Sequence, residues 1–136
     1  TIDRVKADQI GMLATVMNCI YVSDIFRHVG MKTEVFTPFV CGAFTTLFSK
    51  DAATEALNAG KVIFFAGGTG HPYFSTDTGA VLRAIEIEAD AMLLVDLTAS
   101  IMCLENKMPM LVFGLNEENS IVNTMSGTFT GTKVTV

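Results

Sequence analysis

The chain has 136 residues and a net charge of −5, with 50% hydrophobic and 17% charged residues. This length indicates one domain, and 14 acidic against 9 basic residues disfavour nonspecific binding to nucleic acid. The stretches without charged residues, 9–23 and 35–49, are shorter than the roughly 20 apolar residues of a membrane-spanning helix, so we expect no membrane partner and a cytoplasmic location. Charged residues fall below the usual share of about 25%, which suggests extra burial in an oligomer or in a missing part of the fold.

Hydrophobic spacing predicts five helices that alternate with five strands. The first helix runs from Ala7 to about Phe26, with Ile10, Leu13 and Met17 at helical spacing. The elements predicted after it are a strand at 33–40, a helix between Ser49 and Gly60, a buried strand at 61–65, a helix from about Asp77, a strand at 91–95, a helix that Asp96 caps, a strand at 109–115, a helix at 119–126 and a strand at 132–136. This order is typical of an α/β fold, a three-layer αβα arrangement with a mostly parallel sheet.

The segment 66–77 carries the groups with the most binding chemistry. It follows a buried strand, and ligands of open α/β sheets lie beyond the carboxyl ends of the strands. Its glycines allow the backbone to approach a ligand, and its hydroxyls precede a helix N-terminus, which favours an anion. These groups, with a rigid aromatic turn, suit a nucleotide or another phosphorylated ligand: Gly67, Gly68, Gly70, Pro72, Tyr73, Phe74, Ser75, Thr76 and Thr78.

Simpler interpretations stay open for each of these residues. A glycine-rich connection between a strand and a helix is often only a tight turn, and this one is neither a Walker loop nor GxGxxG. Asp8, Asp77 and Asp96 could each be a helix cap. In the functional alternative, Asp8 accepts hydrogen bonds from a sugar, and the other two organise charge beside a phosphate.

Five segments occur in an order that points to one family: DQIGMLATVMN (8–18), FFAGGTGHPYFSTDTGAVLRAIEIEAD (64–90), DLTAS (96–100), ENKMPMLVF (105–113) and GT (131–132). Together they resemble the bacterial uridylate kinase family, which has the amino-acid-kinase fold. The resemblance implies transfer of the γ-phosphoryl group of ATP to UMP, giving UDP in pyrimidine nucleotide biosynthesis. It also implies Mg²⁺ with ATP, without a protein ligand assigned to the metal, and a homohexamer regulated by nucleotides.

The resemblance assigns roles by position. Asp8 matches the acid that binds the UMP ribose, Asp77 the acid at the reaction centre, and Asp96 the acid before the later helix. His71 stands where Asn is usual and Gly79 where Ala is usual. The loop that wraps UMP is matched by Thr69, Gly70, His71, Pro72, Tyr73, Phe74, Ser75 and Thr76.

Three parts of the family pattern are not found in the chain. They are a K-x-S-G strand, a G-G-G-N loop with a nearby Arg, and a T-K-V-D-G-V-Y segment followed by D-P. The last belongs between Val95 and Asp96, where a predicted strand meets a predicted helix without the usual two to six or so connecting residues. We therefore expect 1–136 to be a single partial kinase domain, a UMP-binding half plus a C-terminal part, in which the N-terminal strand region and a segment between 95 and 96 are missing.

Two alternatives to a kinase of UMP remain at this stage. The first is a truncated, catalytically inactive nucleotide-binding or assembly module of the same fold, since the missing parts supply cations for phosphoryl transfer. The second, a kinase of the same fold that acts on a carboxylate or a carbamate, is disfavoured because TGHPYFSTD suits a nucleotide acceptor.

Overall fold

Helices and strands alternate along most of the chain, as the hydrophobic pattern predicts, with one unpredicted strand added. The computed structural model describes residues 2–94, 100–114, 116, 118–128 and 131–135. Its elements are α1 (Arg4–His28), β1 (Thr33–Thr37), β2 (Thr46–Leu47), α2 (Lys50–Asn58), β3 (Val62–Phe65), α3 (Thr76–Glu86), β4 (Met92–Leu94), α4 (Ser100–Glu105), β5 (Met110–Phe113), α5 (Ser120–Met125) and β6 (Gly131–Val134). The predicted α/β class with mostly parallel strands is confirmed. The chain divides into two compact units, 1–83 and 84–136.

The first unit contains a three-stranded parallel sheet in the order β2-β1-β3. The central strand β1 is the most buried, and Phe36 on it packs its ring near those of Phe48 and Phe65. β1 ends at Thr37, because the next residue, Pro38, cannot donate a ladder hydrogen bond. The segment 66–77 therefore begins directly at the carboxyl end of β3.

Strand β2 was not predicted, because its two residues are too few for an alternating pattern. Thr46 pairs with Phe36 and Leu47 with Thr37, and the N–H of Phe48 donates to the carbonyl oxygen of Thr37 at 2.8 Å. Glu34 strengthens the same pairing, because its carboxylate accepts from the Thr46 hydroxyl at 2.9 Å and from Lys61 Nζ at 2.7 Å. Tertiary contacts therefore form this strand where local preference does not.

Helix α1 begins before the predicted position, because Asp3 is its cap. The Asp3 side chain accepts from the N–H of Lys6 at 3.2 Å. Asp8 therefore lies in the second helical turn, so the interpretation of Asp8 as a cap is wrong. The Ser49 cap of α2 is confirmed, since its hydroxyl accepts from the N–H of Ala52.

Val16 of α1 is buried in the core, but four other large apolar or aromatic side chains of the helix lie on its exposed side. Ile10, Leu13, Met17 and Tyr21 are 58%, 50%, 71% and 70% exposed, and we call these four residues the outer stripe. Their spacing predicted the helix correctly, but it does not mark the core. The opposite side of α1 packs on β1 and β3.

By length and composition, α1 is also a candidate membrane span, with a mean hydropathy of 1.3 over an 18-residue window. This differs from the expectation drawn from the charge-free stretches, because the window tolerates up to two charged residues. A single helix of this kind is weak evidence of a membrane span, since a core helix of a soluble protein meets the same criterion.

The second unit contains a mixed sheet in the order β4-β5-β6. β4 and β5 are parallel, and β5 and β6 are antiparallel. Its buried side chains include Cys103, Met108 and Met110. Asp96, its predicted helix cap and its junction with Val95 lie outside the described residues.

Candidate functional site

A cavity of about 220 Å³ lies beside the segment that follows β3, within the first unit. One wall comes from α1 and the other from the segment and the start of α3. This volume is below the about 300–1,000 Å³ of a pocket for a drug-sized ligand, so the cavity can enclose part of a nucleotide. It is lined by Ala7, Asp8, Gly11, Met12, Thr15, Gly68, Thr69, His71, Phe74 and Thr76.

The segment turns away from β3 at Gly67, where only glycine fits. Gly67 has φ of 83°, and a Cβ there would lie 2.8 Å from Cε1 of Phe39. Residues with a Cβ rarely adopt a positive φ. At this position the Cβ would also clash with the ring of Phe39. Gly67 therefore lets the chain fold back over the phenylalanine toward α1.

Asp8 of α1 holds the far end of the segment. Its Oδ2 accepts from the N–H of Tyr73 at 2.8 Å, and Arg4 Nε donates to Oδ1 at 2.8 Å. Tyr73 has φ of 70°, and the Arg4 guanidinium lies 5.6 Å from the centre of its ring. The hydrogen bond from the Tyr73 backbone and the Arg4 side chain lower the pKa of the Asp8 carboxyl. The carboxylate is thus fixed and negatively charged beside the cavity.

Thr15 of α1 holds the near end. Its hydroxyl donates to the carbonyl oxygen of Met12 at 2.7 Å and accepts from the N–H of Gly67 at 2.8 Å. The side chain also lines the cavity. Helix α1 therefore contacts the first and the last turns of the segment through two polar side chains.

The start of α3 forms the anion-binding end of the site. The Ser75 hydroxyl accepts from the N–H of Asp77 at 3.2 Å, which is the bond of a helix cap. Asp77 consequently lies in the first turn, and Ser75 rather than Asp77 has the capping role. The free N–H groups and the dipole at this end of an 11-residue helix favour a negative charge.

Gly79 allows the segment to lie close against α3. A Cβ on Gly79 would be 2.9 Å from the carbonyl carbon of Gly68 and 3.1 Å from the nitrogen of Thr69. Within the part of the chain that the structure describes, no acceptor bonds the N–H of Gly68 or of Thr69. These two amides are available to a ligand.

Hydrogen-bond donors line the cavity, and His71 lies among them. None of its lining residues is lysine or arginine, and Arg4 pairs with Asp8. Among the described residues, no group of three or more His, Cys, Asp and Glu is arranged to hold a metal ion. Phosphate oxygens would bind there through amides and hydroxyls.

The structure brings together about half of the residues predicted for the site. Asp8, Thr69, His71, Phe74 and Thr76 line the cavity. Gly70 instead lines an adjacent groove of about 380 Å³ with Gln9, Met12, Leu13 and Phe39. The remaining described candidates lie in the same segment without lining the cavity: Pro72, Tyr73, Ser75 and Asp77. Asp96 is outside the described residues.

The sequence analysis missed the α1 wall beyond Asp8. Gly11, Met12 and Thr15 follow Asp8 by three, four and seven residues, which is the spacing of one helical face. With Asp8 taken as a site residue on the predicted helix, this spacing identifies all three.

Comparison with known proteins assigns the chain to a family. The amino acid kinase family matches residues 1–106. The uridylate kinase of Porphyromonas gingivalis is 37% identical over 168 residues, covering 97% of this chain and 70% of that protein. The uridylate kinase of Bacteroides thetaiotaomicron is 35% identical, with coverages of 97% and 71%.

Solved structures give the same result for the fold. The UMP kinase from Ureaplasma parvum superimposes with a TM-score of 0.90 at 27% identity, covering 99% of this chain and 72% of that one. The UMP kinase from Bacillus anthracis superimposes with a TM-score of 0.85, and at 22% identity it supports the fold alone.

Proposed function

The chain belongs to the amino acid kinase family, and from this premise we propose that it binds UMP as the acceptor of the γ-phosphoryl group of ATP. The observation that carries the proposal is the cavity between α1 and the segment after β3. A fixed carboxylate, hydroxyl groups, free amides and an aromatic ring meet there, and the relatives that share this sequence are uridylate kinases. The reaction is a phosphoryl transfer that forms UDP.

Each part of UMP has a suitable partner in this arrangement. We assign the phosphate to the N-terminus of α3 and to the hydroxyls of Ser75 and Thr76. The ribose hydroxyls donate to Asp8, whose two oxygens offer about four acceptor sites and so retain capacity beyond Tyr73 and Arg4. Phe74 and His71 offer ring surfaces to the base. The amide of Thr69 is available to the ligand, and the other residues of the predicted loop, Gly70, Pro72 and Tyr73, support its shape.

The reaction centre needs charge neutralisation that the cavity walls do not provide. Phosphoryl transfer depends on cations placed around the transferred group. We propose that Asp77 and Asp96 organise the reacting phosphates and that ATP brings Mg²⁺, which supplies positive charge there. The carboxylate of Asp77 makes no hydrogen bond or ion pair within the described part of the chain, so it is available for this role.

One finding favours the second candidate, a catalytically inactive nucleotide-binding or assembly module. The match to the Porphyromonas gingivalis protein occupies 168 positions, whereas 97% of this 136-residue chain is about 132 residues, so about 36 positions have no counterpart here. This supports a missing interior segment, for which we propose the junction between Val95 and Asp96. A chain without that segment would bind UMP and lack part of the ATP site.

A pair of measurements separates the two candidates. Isothermal titration calorimetry with UMP and then ATP tests binding, and a coupled assay of UDP formation tests turnover. The kinase is expected to bind both nucleotides and to form UDP, and the module is expected to bind UMP only. Binding of glutamate or aspartate in place of UMP would favour a kinase of small acids, and no nucleotide binding would contradict both candidates.

We also propose that copies of this chain assemble and that a second copy covers the outer stripe. Four large apolar side chains on one face, each at least half exposed, support an interface there. We propose the homohexamer and the place in pyrimidine biosynthesis from the resemblance, and the cytoplasmic location from the composition and the charge-free stretches. Light scattering coupled to gel filtration measures the assembly directly.

A further inference from the structure

We propose that Thr15 is a positioning residue for the nucleotide site, a role that rests on the function proposed above. Thr15 lies far from the glycine-rich segment in sequence, but its hydroxyl accepts from the N–H of Gly67 at 2.8 Å. Among the described residues, no other side chain accepts a hydrogen bond from the Gly67 N–H. Thr15 thereby determines where the segment leaves β3.

The geometry gives the hydroxyl a defined direction. Thr15 donates its own proton to the carbonyl oxygen of Met12 at 2.7 Å, one turn earlier in α1. Its oxygen lone pairs must therefore point toward the segment, and one of them accepts from Gly67. A threonine hydroxyl that bonds back to its own helix is thus turned into a fixed acceptor.

Thr15 and Asp8 act on the segment as a pair. Asp8 accepts from the N–H of Tyr73 and lies seven residues before Thr15, so two turns of about 3.6 residues place both side chains on one face of α1. The rigid helix therefore sets the separation between the Gly67 and Tyr73 amides. The residues between these two anchors include Gly68, Thr69 and His71, which line the cavity.

Burial makes the Thr15 bond hard to replace. Gly67 is buried and Thr15 is half buried, so water does not readily satisfy the Gly67 amide once the hydroxyl is gone. The backbone at Gly67 also has little room to move toward Phe39, because a Cβ added at Gly67 would lie 2.8 Å from Cε1 of that ring. The segment would instead shift at its entry, and the Gly68 and Thr69 amides would move with it.

The test compares Thr15→Val, which keeps the shape and removes the hydroxyl, with Thr15→Ser, which keeps the hydroxyl. Titration calorimetry with UMP is expected to show an about tenfold weaker Kd for Thr15→Val and an affinity within about twofold of the unsubstituted chain for Thr15→Ser. Thr46→Val is the matched control, because it removes a threonine hydrogen bond of 2.9 Å outside the cavity and is expected to leave UMP binding unchanged.

Amide hydrogen exchange supplies a readout that does not depend on UMP. The Gly67 N–H is expected to be protected in the unsubstituted chain and in Thr15→Ser, and to lose that protection in Thr15→Val. Protection that survives in Thr15→Val, or equal UMP affinity for the two Thr15 variants, would overturn the positioning role. If Thr15→Val does not fold, an unprotected Gly67 amide in the unsubstituted chain overturns it equally. Failure of the unsubstituted chain to bind UMP would contradict the proposed function. The exchange data would still show whether the Thr15 hydroxyl holds the Gly67 amide.

Discussion

Helix α1 has two opposite faces that differ in both chemistry and exposure. The inner face carries Asp8, Thr15, Cys19 and Ser23, whose side chains each bond a group outside α1, beside the buried Val16. The outer stripe carries only large apolar or aromatic side chains, and all four are exposed. A helix on the surface of a monomer normally shows the reverse arrangement.

The difference shows that two separate requirements shaped this helix. The inner face uses polar groups because β3 and the segment after it present backbone amides and carbonyls that need partners once buried. Within the first unit, the outer stripe does not face backbone groups that need hydrogen-bond partners, and its apolar composition suits a surface that another copy covers. On the function proposed above, nucleotide binding depends on the inner face and the proposed assembly depends on the outer stripe.

The largest effect is expected from removing the inner-face carboxylate. Asp8→Ala deletes the partner of the Tyr73 amide and the proposed ribose acceptor together, so the Kd for UMP is expected to rise about 100-fold by calorimetry. Asp24→Ala is the control, because Asp24 is an exposed carboxylate on the same helix that lies 3.7 Å from His28. Equal affinities for the two variants would remove Asp8 from the site.

The next effect concerns stability where the segment leaves β3. Gly67→Ala places a side chain at positive φ and against Phe39, and we expect it to lower the free energy of unfolding by about 2–3 kcal/mol in urea titrations. Gly60→Ala has a similar φ of 74° with no atom within 4 Å of the new Cβ, so its expected loss is about 1 kcal/mol. If the two losses are equal, the close approach to Phe39 is not a constraint.

The outer stripe is expected to affect assembly without affecting binding. Met17→Glu places a charge among exposed apolar side chains, so light scattering should report the mass of one chain. Its Kd for UMP should stay within about twofold of the unsubstituted value. A large loss of UMP affinity in this variant would contradict the separation of the two faces.

The smallest effect is a pH dependence of stability. The pKa of Asp8 is lowered by the Tyr73 amide and Arg4, and that of Glu34 by Lys61 and Thr46. Each carboxylate therefore stabilises the fold at pH values above the ordinary carboxyl range, and the contribution is lost as the pH falls through the lowered pKa. Asp8→Asn and Glu34→Gln should each flatten the fall of the urea midpoint between about pH 5 and pH 3. Unchanged profiles would show that neither pairing forms in solution.

Much of the fold was predictable from sequence because the signals are local. Caps such as Ser49, the stop at Gly60 and the apolar strand 62–65 depend on neighbouring residues only. Strand β2 was missed because it consists of two residues held by pairing to β1. The spacing of the outer stripe identified a helix, but spacing alone does not tell which side of a helix meets the core.

The site was predictable as a segment but not as a cavity. Composition and the resemblance identified 66–77 and Asp8, since glycines, hydroxyls and acids are recognisable in a linear sequence. Thr15 was missed because a threonine inside an apolar helix carries no signal until its partner, 52 residues away, is known. The sequence leaves Asp8 open as an N-terminal cap because it does not identify the true helix start at Asp3.

The most direct test of the account is a titration of the ¹⁵N-labelled chain with UMP, followed residue by residue by NMR. The account predicts saturable shifts concentrated at the amides of 67–71 and 73–77 and at those of Asp8, Gly11 and Thr15. Shifts confined to other parts of the chain, with these amides unmoved at saturation, would contradict a nucleotide site between α1 and the segment after β3.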